Sequence, residues 1–213
     1  MNLDILENQR LAEQTECDGT KQQSERNRLG QFATPTRLAT EMLKYGVGLL
    51  GNRSPIRFLD PALGTGSFFS ALLRTIKSGR LVNAVGFEID PLYANAAQKL
   101  WAGKGLEVRI QDFTRSKPPE HETAKFNLLI CNPPYVRHHH LGSDDKGRLR
   151  LAVRAACGAH INGLAGLYCY FLGLAHLWMS REAIAGWLVP SEFMDVNYGL
   201  PVKDYLLDRK SVV

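Results

Sequence analysis

The 213-residue sequence, with 45% apolar and 22% charged side chains, has the composition of a single globular domain, which excludes fibrous and wholly disordered chains. Its net charge of +5 favours polyanionic partners only weakly, because many globular proteins carry as much. The sequence shows no leader segment, no apolar run of roughly 20 residues and no paired cysteine spacing, so we expect a soluble, reduced, cytoplasmic protein without a membrane span.

The first segment, residues 1–27, is polar and has few large apolar side chains after Leu11. Such a composition predicts a mobile tail or a frayed helix ahead of a folded domain at residues 28–213. Thr34 and Pro35 predict the start of the first helix of that domain, with the threonine side chain as the cap and the proline in the first turn.

A strand at 56–60 is followed by a glycine loop and a helix. Gly64 and Gly66 permit backbone torsions and close approaches that a side chain would block, and Ser67 is expected to cap the following helix. This order of elements predicts that a ligand contacts the backbone of the loop.

Two further strands, at 82–88 and 106–110, also end in polar residues. Glu88 lies 24 residues after Gly64, close to the spacing at which dinucleotide-binding folds place a carboxylate on ribose hydroxyls. Asp90 and Pro91 predict the start of another helix. Because ligands of open parallel sheets bind beyond the carboxyl ends of the strands, these residues predict one shared site.

The apolar strand at 126–131 stops at Asn132-Pro133-Pro134-Tyr135, since proline cannot donate a ladder hydrogen bond. The Asn132 amide and the Pro133 carbonyl would form a rigid pair of acceptors for a planar amino group, and Tyr135 would lie against that group. Such a site suits the alkylation of a poor nitrogen nucleophile. A plain strand-ending turn explains the same residues equally well, because Asn-Pro is a common turn dipeptide.

A basic insertion follows, and its three consecutive histidines invite a metal site. Consecutive side chains point in different directions and nothing nearby completes a ligand spacing, so we predict no metal. We expect a substrate-facing basic loop, with a solvated loop of incidental charge as the alternative. The remaining elements are predicted as a buried helix at 164–179, a fifth strand at 184–189, a helix at 200–209 and a strand beginning at 211–213.

Taken in order, these motifs resemble the amino-methylating DNA methyltransferases, in the gamma arrangement of the Eco57I-like and TaqI-like adenine-N6 enzymes. The resemblance runs from about Arg28 to Val213. It implies an α/β, Rossmann-like class I methyltransferase fold with helices on both faces of a mostly parallel, seven-stranded sheet. Only five strands can be counted, so the last strands and a target-recognition domain would lie beyond Val213, as in a truncated catalytic domain.

The resemblance also implies S-adenosyl-L-methionine as the cofactor and double-stranded DNA with a flipped adenine as the substrate, within a restriction-modification system. The residues it implies for catalysis are Asn132, Pro133, Pro134 and Tyr135. Those it implies for cofactor binding are Thr34, Pro35, Asp60, Pro61, Ala62, Gly64, Gly66, Glu88, Ile89, Asp112, Phe113 and Asn132. The candidates for DNA contact are Arg137, His138, His139, Arg148 and Arg150.

Several alternatives stay open at this point. Protein glutamine-N5 and ribosomal RNA methyltransferases share Asn-Pro-Pro-Tyr, although the Gly-Gln-Phe-Ala-Thr-Pro element at 30–35 favours DNA. A nicotinamide oxidoreductase would fit the glycine loop, but Phe69 stands where its third glycine is needed. A catalytically inactive cofactor-binding fragment is a third hypothesis. If the chain ended at Val213, the fifth strand would expose an edge for self-association or a partner chain.

Overall fold

The computed structural model describes residues 2–51, 54–195 and 199–208. The strands are β1 Ile56–Asp60, β2 Leu81–Glu88, β3 Leu106–Ile110, β4 Phe126–Cys131 and β5 Met179–Trp187. They form one sheet in the order β3-β2-β1-β4-β5, and every neighbouring pair is parallel. The chain runs outward from β1 to β3 and then returns to place β4 on the other side of β1, which creates a topological switch point between β1 and β4.

Helices cover both faces of the sheet, because alternate residues of the central strands are buried on opposite sides. In β1, Phe58 packs in one apolar cluster and Leu59 in the other. The helices are α1 Leu3–Gly19, α2 Gln23–Leu29, α3 Thr36–Leu50, α4 Ser67–Thr75, α5 Pro91–Trp101, α6 Ser143–Cys157, α7 Leu167–Ala175 and α8 Leu200–Asp208. The first cluster includes residues of α1, α3, α4 and α5, and the second includes residues of α7. The predicted α/β fold is therefore confirmed.

The prediction of a mobile tail at 1–27 is wrong. Most of this segment is helix α1, which packs against α4 and α5, with Leu6 buried in the core. The Asn2 side chain caps the helix by accepting a hydrogen bond from the backbone N–H of Asp4 (2.9 Å). The buried face of α1 includes the charged pair Glu7 and Arg10, so its composition does not indicate burial.

Two predicted helix starts are shifted. Helix α3 begins at Thr36, after Pro35, and no side chain caps it. Helix α4 follows Gly66, whose φ of 90° sets the turn, and Ser67 does not cap it. The Asp90 prediction is confirmed, because its side chain accepts from the N–H of Leu92 (3.0 Å) at the start of α5.

The later elements also differ from prediction. Helix α7 is shorter than predicted and is followed by a 3-10 turn at His176–Trp178. Strand β5 begins at Met179, which pairs with Phe126 of β4, and after a shift of register the pairing resumes at Ile184. It ends at Trp187 instead of residue 189. The predicted strand at 211–213 lies outside the described residues.

Strand β5 is one of the two edge strands of the sheet, and no strand in the described part of the chain pairs with its outer side. Self-association through this edge stays a prediction. Across the same described ranges, no helix has the length and apolar character needed to cross a membrane.

Candidate cofactor and substrate site

A cavity of about 470 Å³ opens at the carboxyl ends of β1, β2, β3 and β4. Its volume lies in the range of sites that hold a small molecule. The segment between α2 and α3, the start of α6 and one side of α1 complete its wall. The lining includes these residues predicted from the sequence: Thr34, Pro61, Ala62, Gly64, Glu88, Ile89, Asp112, Phe113, Asn132, Pro134 and Arg148.

Five of the residues predicted for catalysis or cofactor binding do not line the cavity: Pro35, Asp60, Gly66, Pro133 and Tyr135. Asp60 is fully buried, and Gly66 packs against Trp101 so closely that a Cβ would come within 2.3 Å of the indole nitrogen. The Tyr135 hydroxyl donates to the Leu188 carbonyl (2.8 Å). Asp60 and Gly66 therefore support the cavity wall from behind, whereas the Tyr135 ring lies beside Phe32, which lines the cavity.

The glycine loop presents its backbone to the cavity at Gly64. This residue has a φ of 56°, and a Cβ on it would meet nothing within 4 Å. Its N–H donates to Oε2 of Glu88 (2.8 Å), which ties the loop to the end of β2. The backbone at Gly64 is thus both fixed and approachable, as a ligand-binding loop requires.

The carboxyl groups of Asp60 and Glu88 lie close to this loop, and only Glu88 lines the cavity. Burial raises the pKa of Asp60 to about 8, the hydrogen bond from the Ala62 N–H opposes the rise, and the nearby charge of Glu88 adds to it. Oδ2 of Asp60 is buried without a hydrogen-bond partner. Burial also raises the pKa of Glu88, although the N–H groups of Asp90 and Gly64 partly offset that effect.

The Asn132 side chain is held with its oxygen free. The amide nitrogen donates to the Phe32 carbonyl (3.0 Å) and to the Thr34 hydroxyl (3.1 Å), so both of its hydrogens have acceptors. Oδ1 is buried and has no hydrogen-bond partner. Thr34 does not act as the predicted helix cap, and its hydroxyl orients Asn132.

The segment that carries Phe32 and Thr34 is docked on the end of β4. Gly30 has a φ of 66°, and a Cβ there would lie 2.3 Å from the Tyr135 backbone nitrogen. The rings of Phe32 and Tyr135 are 5.6 Å apart between centroids. The Gly-Gln-Phe-Ala-Thr element and the Asn-Pro-Pro-Tyr element therefore form one structural unit.

Several cavity residues were not predicted from the sequence. Gln14 and Asp18 come from α1, and Leu141 and Leu149 come from the basic insertion. The i, i+3 spacing of Glu7 and Arg10 was the signal that could have indicated an ordered α1. No comparable signal marks the two leucines as cavity residues.

The predicted DNA-contact residues occupy different environments. The Arg148 guanidinium donates to the Thr114 carbonyl (2.8 Å) and hydroxyl (3.1 Å), so it joins the insertion to the segment after β3. Arg137, His139 and Arg150 are exposed, and Arg150 lines a groove on the other side of α6. The described residues contain no cluster of three or more His, Cys, Asp or Glu side chains suited to a metal ion. The absence of a metal stays a prediction.

Comparison with known proteins agrees with this geometry. The Eco57I restriction-modification methylase family model matches residues 75–213. Type II methyltransferase M.AccI from Acinetobacter calcoaceticus is 30% identical over 188 residues, which cover 88% of this chain and 32% of that protein. M.XamI from Xanthomonas campestris pv. amaranthicola is 32% identical over 187 residues, which cover 85% and 34%. The chain thus spans about a third of the length of these relatives.

A more distant relative and two solved structures complete the comparison. The tRNA1(Val) (adenine(37)-N6)-methyltransferase from Shewanella sediminis is 28% identical over 158 residues, covering 70% of this chain and 59% of that protein. The methyltransferase subunit of a type I restriction-modification system from Streptococcus thermophilus has a TM-score of 0.66 at 18% identity, covering 84% and 39% of the two chains. A Listeria monocytogenes protein assigned to the class I S-adenosylmethionine-dependent methyltransferases has a TM-score of 0.68 at 16% identity, covering 98% and 62%.

The relatives and structures together imply S-adenosyl-L-methionine as the cofactor. The chain has the class I methyltransferase fold and belongs to the Eco57I restriction-modification methylase family.

Proposed function

We propose that this chain carries the methyl-transfer site of a restriction-modification enzyme that modifies the exocyclic N6 amino group of adenine in double-stranded DNA. The observation that carries the proposal is the free, buried Oδ1 of Asn132. A buried acceptor without a partner is costly in an ordinary turn, so its presence beside the cavity favours a site for a donating ligand. The same observation argues against the alternative of a plain strand-ending turn.

The residues around the cavity fit S-adenosyl-L-methionine. The carboxylate of Glu88 retains lone pairs for ribose hydroxyls, because each of its oxygens accepts only one backbone N–H. Ile89 is 66% exposed beside the cavity and offers an apolar surface for a purine ring. Asp112 and Phe113 line the neighbouring wall. When bound, the cofactor supplies a methyl group on a positively charged sulfur.

The chain's own contribution would be to orient and activate the acceptor amine. An exocyclic amino nitrogen of adenine attacks poorly because its lone pair is shared with the ring. Oδ1 of Asn132 and the carbonyl oxygen of Pro133 would each accept one N–H of that amine, which localises the lone pair on nitrogen. Tyr135 would stack on the base, which has to leave the duplex to reach the site. Its ring is already oriented by Phe32 and by the hydrogen bond to Leu188.

Contact with the duplex is proposed for the exposed basic residues of the insertion. The exposed Arg137, His139 and Arg150 and the partly exposed His138 would contact phosphates, which positions DNA without reading its sequence. Arg148 is engaged by Thr114 and Asp145, so we assign it to the cavity wall first. Because such an enzyme would act on cellular DNA, we place it in the cytoplasm.

Methylation of adenine-N6 in RNA is the second candidate, because a tRNA adenine-N6 methyltransferase is among the relatives. Protein glutamine-N5 methylation and an inactive cofactor-binding fragment remain the other hypotheses. Radiolabelled cofactor offered with mixed-sequence duplex DNA, with transfer RNA and with a glutamine-containing peptide would separate these possibilities. Label in the DNA at N6-methyladenine supports the proposal, and label confined to RNA or peptide contradicts it. No transfer to any substrate would favour the inactive fragment.

The residue test is Asn132→Ala. We expect methyl transfer to fall by at least about 100-fold, as for the loss of an activating hydrogen-bonding group, while the cofactor Kd changes less than about threefold. Calorimetry and a methyl-transfer assay measure the two quantities on the same preparation. If the variant loses cofactor affinity and thermal stability together, Asn132 is a structural turn residue and the proposed role is wrong.

A further inference from the structure

Helix α1 presents a buried arginine to the glycine loop. Arg10 is 1% exposed, and its Nη1 donates to the hydroxyls of Thr65 (3.2 Å) and Ser67 (3.1 Å). Its Nε and Nη2 donate to the two carboxylate oxygens of Glu7 at 2.8 and 2.7 Å. The bidentate pair neutralises the charge and fixes the plane of the guanidinium. Arg10 therefore aims one donor group at the loop in a fixed geometry.

Glu7 extends the same network to two other elements. Its Oε1 accepts from the Thr36 hydroxyl (2.5 Å) at the start of α3, and its Oε2 accepts from the Ser70 hydroxyl in α4. Burial by itself would raise the pKa of Glu7, but hydrogen bonds from Arg10, Ser70 and Thr36 and the charge of Arg10 lower it to about 2. Glu7 is thus ionised at neutral pH, and both of its oxygens accept hydrogen bonds.

Thr65 is the residue of the loop that α1 holds. Its side chain accepts from Arg10 and donates to Oε1 of Gln14 (2.8 Å), and its carbonyl accepts from the Trp101 indole N–H (2.9 Å). The residues on either side are Gly64 and Gly66, both with positive φ. Two glycines that flank a single residue would give the loop high conformational freedom, and anchoring that residue removes much of this freedom.

We propose that Arg10 and Gln14 of α1 are positioning residues for the cofactor, acting through Thr65 to hold the Gly64 backbone in its binding conformation. The inference rests on the proposed placement of S-adenosyl-L-methionine at Gly64 and Glu88. Without the anchor, the loop has to be ordered at the moment of binding, and that ordering free energy is taken from the affinity. Gln14 also lines the cavity itself, next to the loop.

The experiment is a double-mutant cycle on cofactor affinity. Arg10→Met, Thr65→Val and the double variant are compared by calorimetry, well below their unfolding temperatures. We expect each single change to weaken binding by about 10-fold, corresponding to the ordering of one residue. We expect the double variant to bind about as weakly as either single variant, because both changes break the same link.

Matched controls come from residues of the same helix that do not contact the glycine loop. Thr15→Val removes an exposed hydroxyl that donates only to the Leu11 carbonyl, and Glu13→Gln removes a surface ion pair with Lys99. Neither should change the cofactor Kd. Thermal unfolding without cofactor is measured for every variant. A purely structural role would lower the unfolding temperature of Arg10→Met and leave the Kd of the folded protein unchanged, which would overturn the proposal.

Arg10→Met leaves Glu7 buried without its partner, so this variant could fail to fold. Thr65→Val removes no charge, so in that case it tests the inference by itself. An unchanged cofactor Kd in Thr65→Val would overturn the inference. Glu88→Ala serves as the reference for the cofactor site. If Glu88→Ala has no effect on the Kd, the proposed site itself is wrong. If Glu88→Ala weakens binding and Thr65→Val does not, only the role of α1 is wrong.

Discussion

Asp60 and Glu88 end neighbouring parallel strands, and burial raises the pKa of both carboxyl groups. Asp60 has a raised pKa of about 8, so most molecules carry it as the neutral acid at pH 7. Glu88 accepts two backbone N–H groups, which offset only part of the rise in its pKa that burial causes. A neutral Asp60 places no negative charge behind the glycine loop. Of the two groups, Glu88 is the one that lines the cavity.

The raised pKa of Asp60 predicts a pH dependence of stability. The folded state keeps the proton up to about pH 8, whereas the unfolded chain releases it near 3.8. Stability is therefore lost as the pH rises between these values. Asp60→Asn has no proton to lose at this position, so only the wild type is destabilised as the pH rises. Between pH 4.5 and pH 8, roughly the two ends of the titration, the free energy of unfolding of the variant relative to wild type should rise by an amount on the order of a few kcal/mol. Denaturant unfolding at both pH values measures it. A difference that stays constant with pH would show that Asp60 is ionised in the folded protein.

At the scale of elements, the site depends on how the segment at 30–34 docks on the end of β4. The contact is between backbones at Gly30 and Tyr135, and it brings the Phe32 carbonyl and the Thr34 hydroxyl to the amide of Asn132. Gly30 also ends α2 in the left-handed conformation. One residue thus terminates a helix and permits the close approach that orients Asn132.

Gly30→Ala tests this docking, and Gly158→Ala is its control. Both glycines end a helix at a positive φ, but a Cβ on Gly158 meets nothing within 4 Å, whereas one on Gly30 meets the Tyr135 backbone. We expect Gly158→Ala to cost about 1–2 kcal/mol of unfolding free energy, and Gly30→Ala to cost more and to lower methyl transfer as well. Denaturant unfolding and the methyl-transfer assay give the two results. Equal costs for both variants, with transfer unchanged, would show that the docking does not orient Asn132.

The sequence predicted those elements whose function depends on backbone chemistry. Proline after β4 and glycine after β1 leave a readable signal, because few other residues permit their conformations. The sequence did not predict α1, because Glu7 and Arg10 are buried by pairing with each other and with loop hydroxyls, and such partners are distant in the chain. The start of β5 was missed for a related reason, since Arg181 and Glu182 are exposed on a strand that lies at the sheet edge.

At the scale of the whole molecule, basic side chains lie near the cavity on the outer side of α6. Arg148 and Leu149 face the cavity, whereas Arg150, Arg154 and His160 line a groove on the other side of the helix. The two linings are therefore separated by about one helix diameter, roughly 10–12 Å. A duplex with its target base at Asn132 would then have flanking phosphates within reach of this groove.

The groove predicts salt-sensitive duplex binding that does not depend on sequence. Each phosphate contact releases condensed counterions, so removing Arg150 and Arg154 should lower the slope of log Kd against log salt by about 2, or roughly 0.9 per contact. Fluorescence anisotropy with a mixed-sequence duplex at several salt concentrations measures the slope. The double variant Lys77→Ala/Arg181→Ala is the control, because it removes the same charge from exposed positions at the amino-terminal edge of the sheet. A slope that falls equally in both double variants would mean that net charge, and not the groove, attracts the duplex, and the insertion would then have no special role in DNA binding.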